Sequence, residues 1–164
     1  MKPTLSAGFL IGLLCGLWML VMGFTGWYKD PALLNAFYLV ALIQIGVLIW
    51  GLRQTAVDGK TYWQQVGTGT LMSVIGGVIL FFVSLLFTTV IFPHYFEELR
   101  AIHAEILKST GKSEAEIAAE LEAGATMSTP FVSAISGFIG TVVTGFLASL
   151  VIAAFTRRRT SPAT

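Results

Sequence analysis

Residues 61–96 read TYWQQVGTGTLMSVIGGVILFFVSLLFTTVIFPHYF, with no Asp, Glu, Lys or Arg at any position. About 20 apolar residues of α-helix cross the hydrocarbon core of a bilayer, so this run is longer than one crossing needs. Three more charge-free intervals lie at 3–28, 31–52 and 123–156. Four such intervals decide the class: an all-α, four-helix transmembrane bundle. The predicted spans are 5–27, 33–52, 66–92 and 131–155. Residues 93–130 are expected to form an extracytoplasmic helical hairpin between the third and fourth helices. The chain 1–164 reads as a single integral membrane domain.

Composition agrees. The chain is 55% hydrophobic and 12% charged, against about 25% charged in an ordinary globular domain. A net charge of +1 gives no nucleic-acid surface. The lone Cys15 excludes an intrachain disulfide, and inside an apolar stretch a thiol behaves as a small hydrophobe. Leu5 to Trp27 is longer than the apolar core of a cleaved signal, about 7–15 residues, and no small-residue cleavage site follows it. Leu14 precedes Cys15 where a lipoprotein signal needs a small residue. The first helix is therefore read as retained.

Orientation follows the basic residues near the span ends. With the N-terminus cytoplasmic, Lys2, Arg53, Lys60, Arg157, Arg158 and Arg159 lie inside, and Lys29, Arg100, Lys108 and Lys112 lie outside. Both termini are expected in the cytoplasm of a bacterial inner membrane. Trp27, Tyr28, Tyr62, Trp63 and Tyr95 stand at span ends, where amphipathic rings favour the headgroup zone. Asp30-Pro31 reads as a helix cap with proline at the first helical position. This makes the first connection short and its helices antiparallel neighbours. Asp58-Gly59 marks a turn.

Small residues let helices approach closely in lipid. The first helix has Gly8, Gly12 and Gly16, and the third has Gly69, Ser73 and Gly77. The fourth carries Ser133, Gly137, Thr141, Gly145 and Ser149, with a parallel stripe at Ser136, Gly140, Thr144 and Ala148. These stripes are expected to pack the helices of one bundle; the alternative is that one stripe of the fourth helix packs at home and the other meets a second chain, with Gly145 a contact that assembly needs. The second helix lacks such a stripe and is expected to face lipid more. Its Gln44 is the deepest strongly polar side chain, suited to bonding across helices or to another copy.

In residues 93–130 seven glutamates face three cations, Arg100, Lys108 and Lys112. Tyr95, Leu99, Ile102 and Ile106 share a helical face. Lys108 to Gly111 reads as a helix end. Ser113 with Glu116 forms a capping box for a second short helix, with Ile117 and Leu121 on its apolar face. The first of these helices is expected to be continuous with the third span. His94 with Glu98 is the closest approach to a metal pair, short of the three or four ligands a site needs. No charged side chain lies within a span, and no nucleophile or phosphate-binding motif occurs. Catalytic residues, cofactors and metals are therefore not expected.

Three regions resemble an uncharacterised bacterial membrane family, domain of unknown function 4199. They are Leu52-Arg53 through Asp58-Gly59-Lys60-Thr61-Tyr62-Trp63 to Gly67; Phe92-Pro93-His94-Tyr95 with Lys112 to Ile117; and Pro130-Phe131 through the small-residue helix to Arg157-Arg158-Arg159. The resemblance implies four spans with a long helical outer segment before the last, and brings no catalytic residue. The leading functional expectation is a non-enzymatic accessory or scaffold subunit, partnered by lipid and by another membrane protein or its own copies. The alternative is a small oligomeric transporter or channel lined by the Ser and Thr residues of the fourth helix, Thr141 and Thr144 among them.

Overall fold

The computed structural model describes residues 2–56, 59–126 and 128–156. Among them the chain is all-helical, without strands, and four helices are long and apolar enough to cross a membrane. Helix α1 runs Lys2–Thr25, and a single 3-10 turn follows at Trp27–Lys29. A second 3-10 segment, Leu34–Tyr38, leads into α2, Leu39–Ala56. Helix α3 spans Tyr62–Leu86 and passes into a π turn at Phe87–Ile91. The hairpin is α4, Tyr95–Ser109, and α5, Glu114–Ala125. Helix α6, Pro130–Thr156, is the last.

Local chemistry sets the boundaries. Asp30 does not open a regular helix. Its Oδ1 accepts the Ala32 N–H at 2.9 Å, a turn follows, and α-helical geometry begins only at Leu39. Helix α3 starts four residues before its expected position, because Thr61 and Gln64 form a capping box that draws Tyr62 and Trp63 into the first turn. At the other end Thr88 and Thr89 donate to the carbonyls of Ser84 and Leu85, at 2.8 and 2.6 Å. The ladder there loosens to a π turn, with Phe92 N–H on Phe87 O at 2.8 Å. Pro93 then supplies no N–H, and the chain breaks at residues 92–94. Helix α4 is therefore not continuous with α3. Its own end comes at Gly111, with φ +81. There the N–H groups of Gly111 and Lys112 reach Lys108 O and Leu107 O. The Ser113–Glu116 capping box opens α5. Of the Asp58-Gly59 turn, Gly59 has φ +70 while Asp58 lies outside the described residues, as do Arg157, Arg158 and Arg159.

Helix α3 is the central element, packed most extensively against α6 and then α1. Helix α2 closes the ring between α1 and α6. Pairings give the directions. Cys15 Sγ lies 3.7 Å from Val40 O and Trp18 Nε1 donates to Ala36 O at 3.1 Å, so α1 and α2 are antiparallel neighbours. Gly8, Gly12 and Gly16 meet Ile75, Ile79 and Val83 in turn, so α1 and α3 run parallel. Gly69 with Ser149 and Gly77 with Phe138 make α3 and α6 antiparallel. The core holds Ala7, Ile11, Cys15, Val47, Leu48, Leu52, Met72 and Ile152. Helix α2 is not the outward-facing member that its missing stripe predicts. It places Gln44, Val47, Leu48, Gly51, Leu52 and Thr55 inside, an i, i+4, i+7, i+11 face with large side chains where the other helices use small ones.

Candidate functional site

Close backbone approach is the bundle's main device. A Cβ added at Gly8 would lie 2.7 Å from Ile75 Cβ and 2.8 Å from Met72 O. At Gly12 it would lie 2.6 Å from Ile79 Cβ and 3.0 Å from Gly76 O. Gly16 is looser, 3.1 Å from Val83 Cγ1. Gly76 answers from α3, its added Cβ 2.6 Å from Ile11 Cγ2 and 3.0 Å from Gly8 O. Cβ atoms under 3.0 Å from a neighbour are essentially never seen, so these two helices need glycine at positions 8, 12 and 76.

The α3–α6 seam combines small residues with hydrogen bonds. A Cβ at Gly69 would overlap the Ser149 hydroxyl, and one at Gly145 would overlap Ser73 and come within 2.9 Å of Gln44 Nε2. Gly77 faces Phe138 Cδ2 at 3.0 Å. Gln44 reaches across from α2, its Nε2 donating to Thr141 O at 2.7 Å and to Ser73 Oγ at 3.3 Å. Ser73 donates to Gly69 O, and Thr141 to Gly137 O. The structure thus gathers Gln44, Ser73, Thr141, Gly145, Gly69 and Ser149 into one junction of α2, α3 and α6. Ser149 Oγ is the buried side-chain oxygen there with no partner among the described residues.

The long stripe of α6 does not act as one surface. Thr141, Gly145 and Ser149 are buried in the bundle, Ser133 is half-buried and Gly137 is exposed with nothing near its Cβ position. Ser136 and Gly140 are exposed too, while Thr144 and Ala148 are half-buried. Gly145 therefore packs at home, and the open small surface is Ser136, Gly137 and Gly140.

Sequence reasoning missed Gly51, whose added Cβ would lie 2.8 Å from Ala7 Cβ and 2.9 Å from Met72 Sδ. It also missed the buried pair Thr55 and Gln65, where Thr55 Oγ1 donates to Gln65 Oε1 at 2.9 Å. The signal was the seven-residue step from Gln44 to Gly51, invisible to a search at intervals of four.

At the hairpin end, Tyr28 donates to a Glu98 carboxylate oxygen, and Lys29 Nζ binds the other at 2.8 Å. Tyr28 also packs on Phe92 and Tyr95. This ties α4 to the turn after α1. Hydrogen bonds from Lys29 and then Tyr28 hold Glu98 below the usual carboxylate range, and the bond to Glu98 raises Lys29. Burial first, then the Glu98 bond, raise Tyr28. His94 Nδ1 pairs with Glu97 at 2.9 Å, not with Glu98. Lys112, in the turn before α5, pairs with Glu120 of that helix. Among the described residues no group of three or more His, Cys, Asp or Glu has metal-site geometry.

Residues 6–158 match the family described as "Protein of unknown function (DUF4199)". The chain belongs to this family. No curated protein and no solved structure matches it. The DUF4199 match covers all four long helices and the hairpin, and assigns no chemistry to any of them.

Proposed function

We propose that this chain is a non-enzymatic integral membrane protein of the bacterial inner membrane, an accessory or scaffold subunit that receives another transmembrane helix on the outer half of α6. The observation that carries the reading is the open Gly137 and Gly140 surface. It lies beside a home seam already supplied with its own small residues. In lipid, exposed glycines one turn apart allow a second helix to approach to backbone contact. Charge supports the orientation. The end bearing Lys2, Arg53, Lys60 and Arg157–Arg159 holds one carboxylate, Asp58, whereas the hairpin holds seven. Both termini are then cytoplasmic and the hairpin extracytoplasmic. A polar transport path is less well supported, because the Thr141 and Ser73 hydroxyls donate to carbonyls one turn back on their own helices.

The test is the mass of the complex extracted in native nanodiscs, with its components identified. A stoichiometric second chain, foreign or identical, is expected, and Gly140→Leu should release it while the bundle keeps its unfolding midpoint. A monomer in the native extract, or a complex indifferent to Gly137→Leu and Gly140→Leu, would overturn the proposal.

A further inference from the structure

Helices α2 and α6 run parallel and end at the same face of the bundle. The Gln44–Thr141 bond pins them together midway. Below it they part around a groove of about 430 Å³. Ile45, Ile49, Ala148 and Ile152 form its walls, and Phe155, 85% exposed, forms its outer lip. Arg53 and Thr156 stand at its mouth. From Ile45 to Arg53 the groove follows eight residues of helix, about 12 Å at 1.5 Å per residue. Its lining is apolar apart from Arg53, which is exposed, and Thr156.

We infer that this groove binds one acyl chain of an anionic phospholipid, with the lipid phosphate against Arg53. The length and lining suit a hydrocarbon chain lying along the helices. The mouth selects the headgroup, since a guanidinium gives a phosphate two parallel N–H donors. The Thr156 hydroxyl donates its one proton to Ile152 O at 3.0 Å, so the headgroup contact falls to Arg53. Among the described residues Arg53 is the one charged residue lining the groove, and no carboxylate lines it. Basic pockets between helices at such an end attract anionic headgroups. The site is separate from the open face at Gly137 and Gly140, which lies in the other half of α6, so the two stand or fall independently.

The full chain is reconstituted in phosphatidylcholine nanodiscs doped with phosphatidylglycerol, released gently, and weighed with its retained lipid. Phosphatidylglycerol is expected to be enriched over its share of the bilayer. Arg53→Ala should reduce that enrichment about fivefold, as one cation near the headgroup is worth about a factor of five, and Arg53→Lys, which keeps the charge but not the two parallel donors, should fall between the two. Ala148→Phe, which fills the groove from an already half-buried position, should remove the retained lipid with Arg53 intact. Equal retention of the two lipids would overturn the inference. So would retention that survives both Arg53→Ala and Ala148→Phe, retention lost only when Arg157–Arg159 are neutralised, or displacement by inorganic phosphate alone.

Discussion

Gly145→Ala and Gly137→Ala add the same methyl group to the same stripe of α6, eight residues apart, and should act with opposite sign. At Gly145 the new Cβ overlaps Ser73 and crowds Gln44 Nε2 at 2.9 Å. Ser73 is fully buried and its hydroxyl bridges Gln44 and Gly69 O, so it has no free direction to turn. Overpacking of this kind costs about 1–3 kcal/mol. Displacing Gln44 threatens two hydrogen bonds, each worth about 0.6 kcal/mol in a membrane bundle. Alanine recovers up to about 1 kcal/mol of helix preference over glycine. The net expectation is a loss of about 1–3 kcal/mol. At Gly137 no atom lies within 4 Å of the new Cβ, so only the helix gain of up to about 1 kcal/mol remains. Reversible unfolding in mixed micelles, at dilution where the chain is monomeric, reads both. Ser73→Gly opens the space that the Gly145 methyl group needs and should absorb most of its penalty, which ties the loss to that contact. If Gly145→Ala is neutral, or if Gly137→Ala is equally damaging to the monomer, the assignment of these two positions to inside and outside is wrong.

Gly12→Leu should separate α1 from α3 and abolish a stable bundle, since even a Cβ there meets backbone at 3.0 Å; loss of cooperative unfolding would report it. Gln44→Leu keeps the volume and removes two hydrogen bonds, so the same assay should register about 1 kcal/mol, and a loss above about 3 would mean that Gln44 does more than pack. Ser113→Ala removes the α5 cap at about 1 kcal/mol, read as roughly fivefold faster amide exchange over 114–125. Docking of α4 on the Tyr28 turn should be flat with pH near neutrality. The lowered Glu98 value means its contribution is present above the ordinary carboxylate range and lost as pH falls through that lowered value. The raised Lys29 value means its contribution is lost only as pH rises through the raised lysine value. Amide exchange across 95–109 at stepped pH would show both limits, and a transition centred near neutrality would contradict them.

The four long helices were legible because a soluble helix of about 20 residues carries charge on its water-facing side, and these four spans carry none. The hairpin was legible from its caps, which are local chemistry. What escaped was rotation. An i, i+4 stripe advances about 40° per step on a helix of 3.6 residues per turn. Five members from Ser133 to Ser149 therefore sweep about 160° and cannot all face one neighbour. The buried face of α6 instead runs Ala134, Thr141, Gly145, Ser149, Ile152, steps of seven and four mixed with three, which follow one side of the cylinder. Gly51 was overlooked for the same reason, since its face on α2 is spaced by four and three alternately. The start of α3 was misplaced because aromatic residues at a bilayer boundary read as flanks, while Thr61 and Gln64 had already closed a cap before them.

A docking helix needs more than apolar exposure, and that requirement narrows where it can land. Helix α3 spends Gly69, Ser73 and Gly77 on α6 and Gly76 on α1. Its outward residues are large: Leu71, Val78, Phe82 and Leu86. Helix α1 spends Gly8, Gly12 and Gly16 on α3 and turns Leu5, Phe9, Leu13 and Leu17 outward. Large side chains on these faces hold any neighbour at ordinary helix spacing, where lipid tails compete on equal terms. Open glycines also occur at Gly46 and Gly67, but each stands without a second small residue exposed one turn away on its own face. Helix α6 alone sets Ser136, Gly137 and Gly140 together, within one turn and clear of its own bundle. Backbone contact with a second helix is therefore cheapest at that place, and Gly140→Leu strikes it without touching any residue the monomer uses to stay folded.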